Sequence, residues 1–287
     1  MSYVDKISAC NRHDLRRFLP LAAGGTGVGF VRKDRVPRLL DLCESVHPTA
    51  TGLEIRTDPD VPDERTRVID TVCEELRSVG ELASRHGERY PAVLEHGETA
   101  AFTIDRSAVS YFGLRAFGVH LNGYVRTARG ISMWLAQRSK TKPTWPGMLD
   151  QLVAGGHPAG ISLADNLVKE CAEEAAIPAD LANLAVPVGS IRYCMEHELG
   201  LKPDEMFCYD LEVPEDFVPR AVDGEVERFV LVSVEEVRAL VRDTNRIKPN
   251  CNLVILDFLI RHRILDTKDE ESARLSALLR PRLPVPG

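Results

Sequence analysis

Glu170, Glu173 and Glu174 are the residues whose type and spacing could do chemistry. On a helix, i, i+3 and i+4 neighbours share a face with β-carbons about 5–6 Å apart. If that face is exposed, their repulsion costs only a few tenths of a kcal/mol per pair. In a partly buried cleft with an effective dielectric near 20 it grows to roughly 3 kcal/mol per pair. A cleft lined by these acids therefore calls for a cation; the bland alternative is a solvated acidic face. Ligands made only of oxygen select a hard cation, Mg2+ or Mn2+, which keeps waters and bridges substrate phosphates. Just upstream runs Val153-Ala154-Gly155-Gly156-His157-Pro158-Ala159-Gly160-Ile161-Ser162. It reads as a glycine-rich turn over residues 155–160 that could aim a carbonyl at the same cation.

The elements that must position these groups follow from periodicity. Ala164, Leu167, Val168, Cys171 and Ala175 recur at helical spacing, so a helix beginning after the N-cap Ser162 commits one face to the core, with Asp165 in the capping-box position. Cys171 lies on that apolar face as a small hydrophobe, and His157, alone before a proline, reads as structural. Residues 116–125 and 131–136 are predicted strands around a turn at 127–130, followed by a loop over 140–147. Further strands are predicted at 205–212 and 228–232, and helices at 234–241 and 250–264. Upstream, a helix is expected from residue 61 to about 86, with Pro62 in its first turn, and strands at 101–104 and 108–112. The charged, proline-rich stretch 266–287 reads as an appendage or frayed tail.

Composition narrows the class. With 287 residues, the chain is long enough for two domains, and 44% hydrophobic and 28% charged residues are ordinary globular usage. A formal charge of -7 gives no global attraction for nucleic acid or an anionic membrane. No stretch approaches the roughly 18 apolar residues of a spanning helix. Seven scattered cysteines without CxxC spacing argue against disulfides and zinc and point to the cytoplasm.

The segment from Gly155 to Ile177 resembles the Nudix box, in which a glycine, five residues, a glutamate and seven residues precede R-E-U-x-E-E-x-G-U, U being bulky and apolar. Gly155 takes the first position and Lys169-Glu170-Cys171-Ala172-Glu173-Glu174-Ala175-Ala176-Ile177 the second half, with the spacing intact. Ile161 replaces the first glutamate, Lys169 the arginine and Ala176 the late glycine. Residues 139–147, 210–214 and 223–226 extend the resemblance to the Nudix subfamily associated with thiamine pyrophosphokinase, whose N-terminal half is a domain of unknown function.

The resemblance implies an α+β N-terminal domain (1–112), a Nudix α/β/α sandwich with a mixed sheet (113–265) and a C-terminal extension (266–287). It implies a metal-dependent hydrolase that cleaves a diphosphate linkage in a small molecule, thiamine diphosphate or its damaged analogues, to the monophosphate. By position, Gly155 (through its carbonyl), Glu170, Glu174 and Glu225 are metal ligands for Mg2+ or Mn2+, and Glu173 and Glu174 are catalytic. Lys140, Lys142 and Trp145 are expected to meet the substrate, an ammonium suiting phosphate and an indole a flat ring. A homodimer is compatible with the sequence. Two rivals stand beside the hydrolase. Trp145-Pro146-Gly147 and Gly156-His157-Pro158 resemble isopentenyl-diphosphate isomerase, which places a cysteine where Ala154 stands here; a noncatalytic ligand-binding Nudix module is the other.

Overall fold

Apolar residues alternate or cluster in short runs through the first third of the chain and lengthen into buried strands after residue 116, and three separate sheets, of four, two and seven strands, result among the described residues. A computed structural model describes residues 2–57, 62–142, 144–265 and 268–287. The first part contains α1 (Tyr3–Ala9), β1 (Phe18–Ala23), β2 (Thr26–Arg32), α2 (Val36–Leu42), β3 (Val46–Pro48), β4 (Leu53–Ile55), α3 (Pro62–Ser78), β5 (Arg89–Pro91) and β6 (Thr103–Asp105). The second contains β7 (Phe117–Thr127), β8 (Gly130–Arg138), β9 (Leu149–Asp150), β10 (Val153–Gly156), α4 (Leu163–Ala175), α5 (Ala179–Ala182), β11 (Val186–Glu196), β12 (Leu201–Glu212), β13 (Val226–Ser233), α6 (Val234–Asp243), α7 (Pro249–Arg261) and α8 (Asp269–Leu278).

The N-terminal sheet has the order β2-β1-β4-β3, with α2 and α3 supplying Leu39, Ile69, Val72 and Leu76 to its core. The larger sheet runs β11-β12-β7-β8-β13 and is mixed, because β12 pairs with β7 in parallel while its other neighbours are antiparallel. Strand β7 divides its partners: its first half pairs with β10 and its last residues with β8. Both faces are covered, α4 on one and α6 with α7 on the other, which is why β7 is buried at nearly every position. The expected α/β/α sandwich after an α+β N-terminal domain is the fold observed. No helix among the described residues is long and apolar enough to cross a membrane.

Several local expectations are corrected. Helix α3 stops at Ser78, where Gly80 takes φ 77° and Glu81 N–H returns to the Leu76 carbonyl, a glycine-assisted C-terminus. Residues 106–108 form a 3-10 turn and 109–112 continue as turns, because Tyr111 and Phe112 fill the core from a bend rather than a strand. Gly155 and Gly156 belong to β10, so the turn begins only after them. The stretch after residue 266 is no frayed tail among its described residues. Leu275 and Leu279 are buried with α7, and Leu283 is buried with Phe18 and Phe30 of the N-terminal sheet.

Candidate active site

Ser162 sets the phase of α4. Its Oγ accepts the Asp165 amide at 3.1 Å and donates to the Asp165 carboxylate at 2.6 Å, holding the first turn as a capping residue does. Leu167, Cys171 and Ala175 then sink beneath the sheet. That rotation separates the three acids. Glu170 and Glu174 turn toward β10 and are 8% and 9% exposed, whereas the Glu173 side chain remains 52% exposed.

The two buried carboxylates meet β10 differently. Gly155 seats Glu170: a β-carbon at Gly155 would overlap the Glu170 carboxyl group. Glu174 Oε2 accepts the Ala154 N–H at 2.9 Å. Lys169, standing where the box has arginine, finds no acid at Ile161 and instead bridges Glu170 at 3.0 Å and Glu173 at 2.8 Å. Burial pushes the Glu174 carboxyl up to about 8; the Ala154 amide works against it, while Asp150, Glu170 and Glu225 add to the rise. Burial also raises Glu170 against the pull of Lys169.

The strand register changes which carbonyl is offered. His157 N–H donates to the Phe117 carbonyl, so the ladder puts Gly155, two residues earlier, in a hydrogen-bonded pair with Val119. Ala154 and Gly156 face the other way: Ala154 N–H reaches Glu174, and the Gly156 carbonyl accepts Asn166 Nδ2 at 2.8 Å. The expected ligand carbonyl of Gly155 is thus turned into the sheet, and Ala154's is on the side of α4. The contribution of Gly155 is its missing side chain.

Glu225 lies close enough to Glu174 to influence it electrostatically. Its carboxylate is ion-paired with Lys142, and its carbonyl accepts the Ser139 amide at 2.8 Å, which ties the 139–147 loop to the site. Burial works upward on Glu225, but Lys142, Arg106 and Arg138 together hold it below the ordinary range. Lys142 therefore serves an internal acid. Trp145 is half-buried with φ 47°, its ring 5.9 Å from Lys248 Nζ and its carbonyl accepting Arg138 Nε at 3.1 Å. Lys140 is exposed. The structure brings together Gly155, Glu170, Glu174 and Glu225, and leaves Glu173, Lys140 and Trp145 outside that cradle. His157 is buried with its Nε2 3.1 Å from His96 Nε2, as a structural histidine.

Two groups of residues went unread in the sequence. Asp150 is buried between Arg138 at 3.0 Å and Lys248 at 3.2 Å, and accepts the Cys251 thiol at 2.6 Å. One ligand atom each from His120, Asp150 and Cys251 lies within 4.8 Å of the others. Two cations already neutralise Asp150, so a metal there would have to displace Lys248 and Arg138 from a satisfied network. The second group comes from the N-terminal domain: a β-carbon at Gly156 would overlap the Tyr90 hydroxyl and come within 3.5 Å of Arg106 Cζ. Neither group has a local motif; each is assembled by strands distant in sequence.

Buried paired acids against a glycine strand form an oxygen-rich cradle suited to a hard divalent cation. At Ala154 the side chain is a methyl group and every described cysteine is buried, which leaves the proton donor of the isomerase without a counterpart. The model of a domain of unknown function, DUF4743, matches residues 2–116, and the NUDIX domain model matches residues 118–251. The chain is 38% identical to Nudix hydrolase 20, chloroplastic, of Arabidopsis thaliana over 98% of its own length and 77% of that protein. It is 40% identical to Nudix hydrolase 24, chloroplastic, of the same plant, over 92% of this chain and 73% of that one. Among solved structures, the NUDIX domain of Shewanella oneidensis NrtR complexed with ADP ribose is 14% identical, with a TM-score of 0.41 over 56% of this chain and 94% of that one.

Proposed function

Because this chain belongs to the Nudix hydrolase family, we propose that it hydrolyses a diphosphate linkage in a small metabolite, thiamine diphosphate or an oxidised analogue, releasing the monophosphate. The observation that carries this reading is the burial of Glu170 and Glu174 side by side against β10, with Gly155 lacking the side chain that would exclude them. Buried like charges persist only when something neutralises them, and their donor set fits Mg2+ or Mn2+. A divalent cation held there supplies charge neutralisation for a diphosphate and lowers the pKa of a bound water.

Glu170, Glu174 and the Ala154 carbonyl would hold the cation, and Glu225 would complete the acid set. Glu173, exposed and tied through Lys169 to Glu170, is the carboxylate available to take the proton of the attacking water. A cavity of about 230 Å3 lined by Leu163, Pro187, Phe207 and Tyr209 supports a flat ring as the rest of the substrate. Phe207 pairs with Val119, which pairs with Gly155, so two strand spacings, about 10 Å, separate cavity and cradle. That interval suits a diphosphate joined to a ring. The place of work is inferred to be the cytoplasm from the sequence, whose seven scattered cysteines lack CxxC spacing.

The test is release of phosphate from a panel of diphosphates, oxidised thiamine diphosphate among them, with and without Mg2+ or Mn2+. Metal-dependent turnover that disappears in Glu174→Gln is expected. Absence of turnover for every diphosphate in the presence of either metal would remove the reading.

A further inference from the structure

We propose that Arg106, carried by the N-terminal domain, binds the substrate's phosphate at the Nudix cradle, so that the active site is composite. This rests on the hydrolase reading and adds a residue outside the Nudix domain to it. Tyr90 on β5 and Ile104 on β6 are register partners, and Arg106 follows β6 directly. The pairing carries the phenol and the guanidinium to the same place, the backbone of Gly156, one residue beyond the glycine that seats Glu170 and on the opposite face of the edge strand β10. Arg106 Cζ stands 5.9 Å from the Tyr90 ring.

The junction is fixed by backbone bonds rather than by side chains alone. Arg106 N–H donates to the Glu88 carbonyl at 2.9 Å, and Ala159 N–H, just past β10, donates to the Arg89 carbonyl at 2.7 Å. The first bond fixes Arg106 within the N-terminal domain, and the second joins that domain to the Nudix domain beside Gly156. Arg106 Nη1 donates to Glu88 at 2.8 Å. Among the described residues, its Nε and Nη2 make no hydrogen bond, and the side chain is 41% exposed, so one edge of the fork remains open. Arg106 also acts electrostatically on Glu225, which in turn acts on Glu174. The guanidinium therefore shares the field of the cradle.

Chemistry favours this residue as the anion contact. The other cations of the site are engaged: Lys169 with Glu170 and Glu173, Lys142 with Glu225. A planar guanidinium with free donors matches the oxygens of a phosphate, which a diphosphate brings in excess of the charge that one cation neutralises. The N-terminal domain then becomes part of the substrate site, and loss of its arginine weakens the anion while leaving the cation's ligands in place.

The experiment uses the full chain, with inorganic pyrophosphate and Mg2+ as probes in titration calorimetry, alongside turnover of the best diphosphate. Arg106→Gln keeps the stem and a donor for Glu88. It is expected to weaken pyrophosphate at least tenfold and raise KM comparably, with kcat changed less and the Mg2+-induced rise in Tm retained. Arg106→Lys is expected to recover part of the affinity. Should Arg106→Gln lower Tm, Arg106→Ala at a lower temperature provides the same comparison. Wild-type affinity for pyrophosphate in either neutral variant overturns the proposal while the hydrolase reading stands. A wild-type protein that neither binds pyrophosphate with Mg2+ nor hydrolyses any diphosphate overturns both.

Discussion

The carboxyl group of Glu170 occupies the volume that a β-carbon on Gly155 would fill. A helix residue and a strand residue thus interlock at the point where the proposed cation must sit. Gly155→Ala cannot be accommodated without moving α4 or the carboxylate, because the obstructing atoms belong to a buried side chain. Turnover is expected to fall at least a hundredfold, with a loss of roughly 1–3 kcal/mol in urea unfolding. A Gly155→Ala protein with wild-type kcat/KM would show that this interlock is dispensable.

Glu174 should reveal itself by opposite effects on stability and activity. Its folded-state value of about 8 lies above the ordinary 4.5, so the associated stability is complete below pH 4.5 and is lost as pH rises to 8. Glu174→Gln removes that cost, on the order of 4 kcal/mol in the metal-free protein near pH 8. Its Tm without metal should exceed wild type, while the Tm increase on adding Mg2+ and the hydrolysis both vanish. Equal Tm increases with Mg2+ in the two proteins would dissociate Glu174 from the cation.

Histidines govern the acid side. Burial, reinforced for His120 by Lys248 and for His157 by His96, brings both down to about 4 from 6.5. The unfolded chain therefore takes up protons that the fold refuses. Their stabilisation is full above pH 6.5 and is lost as pH falls toward 4, by about 3 kcal/mol for each histidine. Urea midpoints between pH 7 and 4.5 should fall accordingly, and His120→Gln, which can still bond to Gln151, should flatten the slope. An unchanged slope would mean that His120 is protonated in the native protein.

Ala176 offers a gain in stability. It caps α4 at φ 53°, a left-handed conformation that costs a residue with a β-carbon about 1 kcal/mol, at the position where the Nudix box has glycine. Ala176→Gly is expected to stabilise the protein by about 0.5–1 kcal/mol without altering kcat. Destabilisation in chemical unfolding would contradict the assigned backbone strain.

What the sequence disclosed depended on how local each signal was. Helix α4 was readable because its capping serine, apolar period and acids lie within one continuous segment. Strand β11 was not, since Pro187 and Gly189 interrupt it and Val186 is exposed at the sheet edge. The box located Glu170 and Glu174, but resemblance alone assigned the carbonyl to Gly155; only strand register distinguishes it from Ala154. The partnership of Lys142 with Glu225 and the approach of Tyr90 and Arg106 to Gly156 arise from tertiary packing, for which periodicity carries no signal.

Helix α1 lies before the N-terminal sheet in sequence, yet Ile7 and Cys10 pack into the core around α7, and Lys6 donates to Asn245 at 2.8 Å. From the other direction, Leu283 reaches back to Phe18 and Phe30. Each half of the molecule is therefore completed by a strand of chain that belongs, in linear order, to the other's side. Dividing the gene between residues 112 and 113 would leave both fragments with an open seam, and neither could be shuffled into another protein as a self-sufficient cassette.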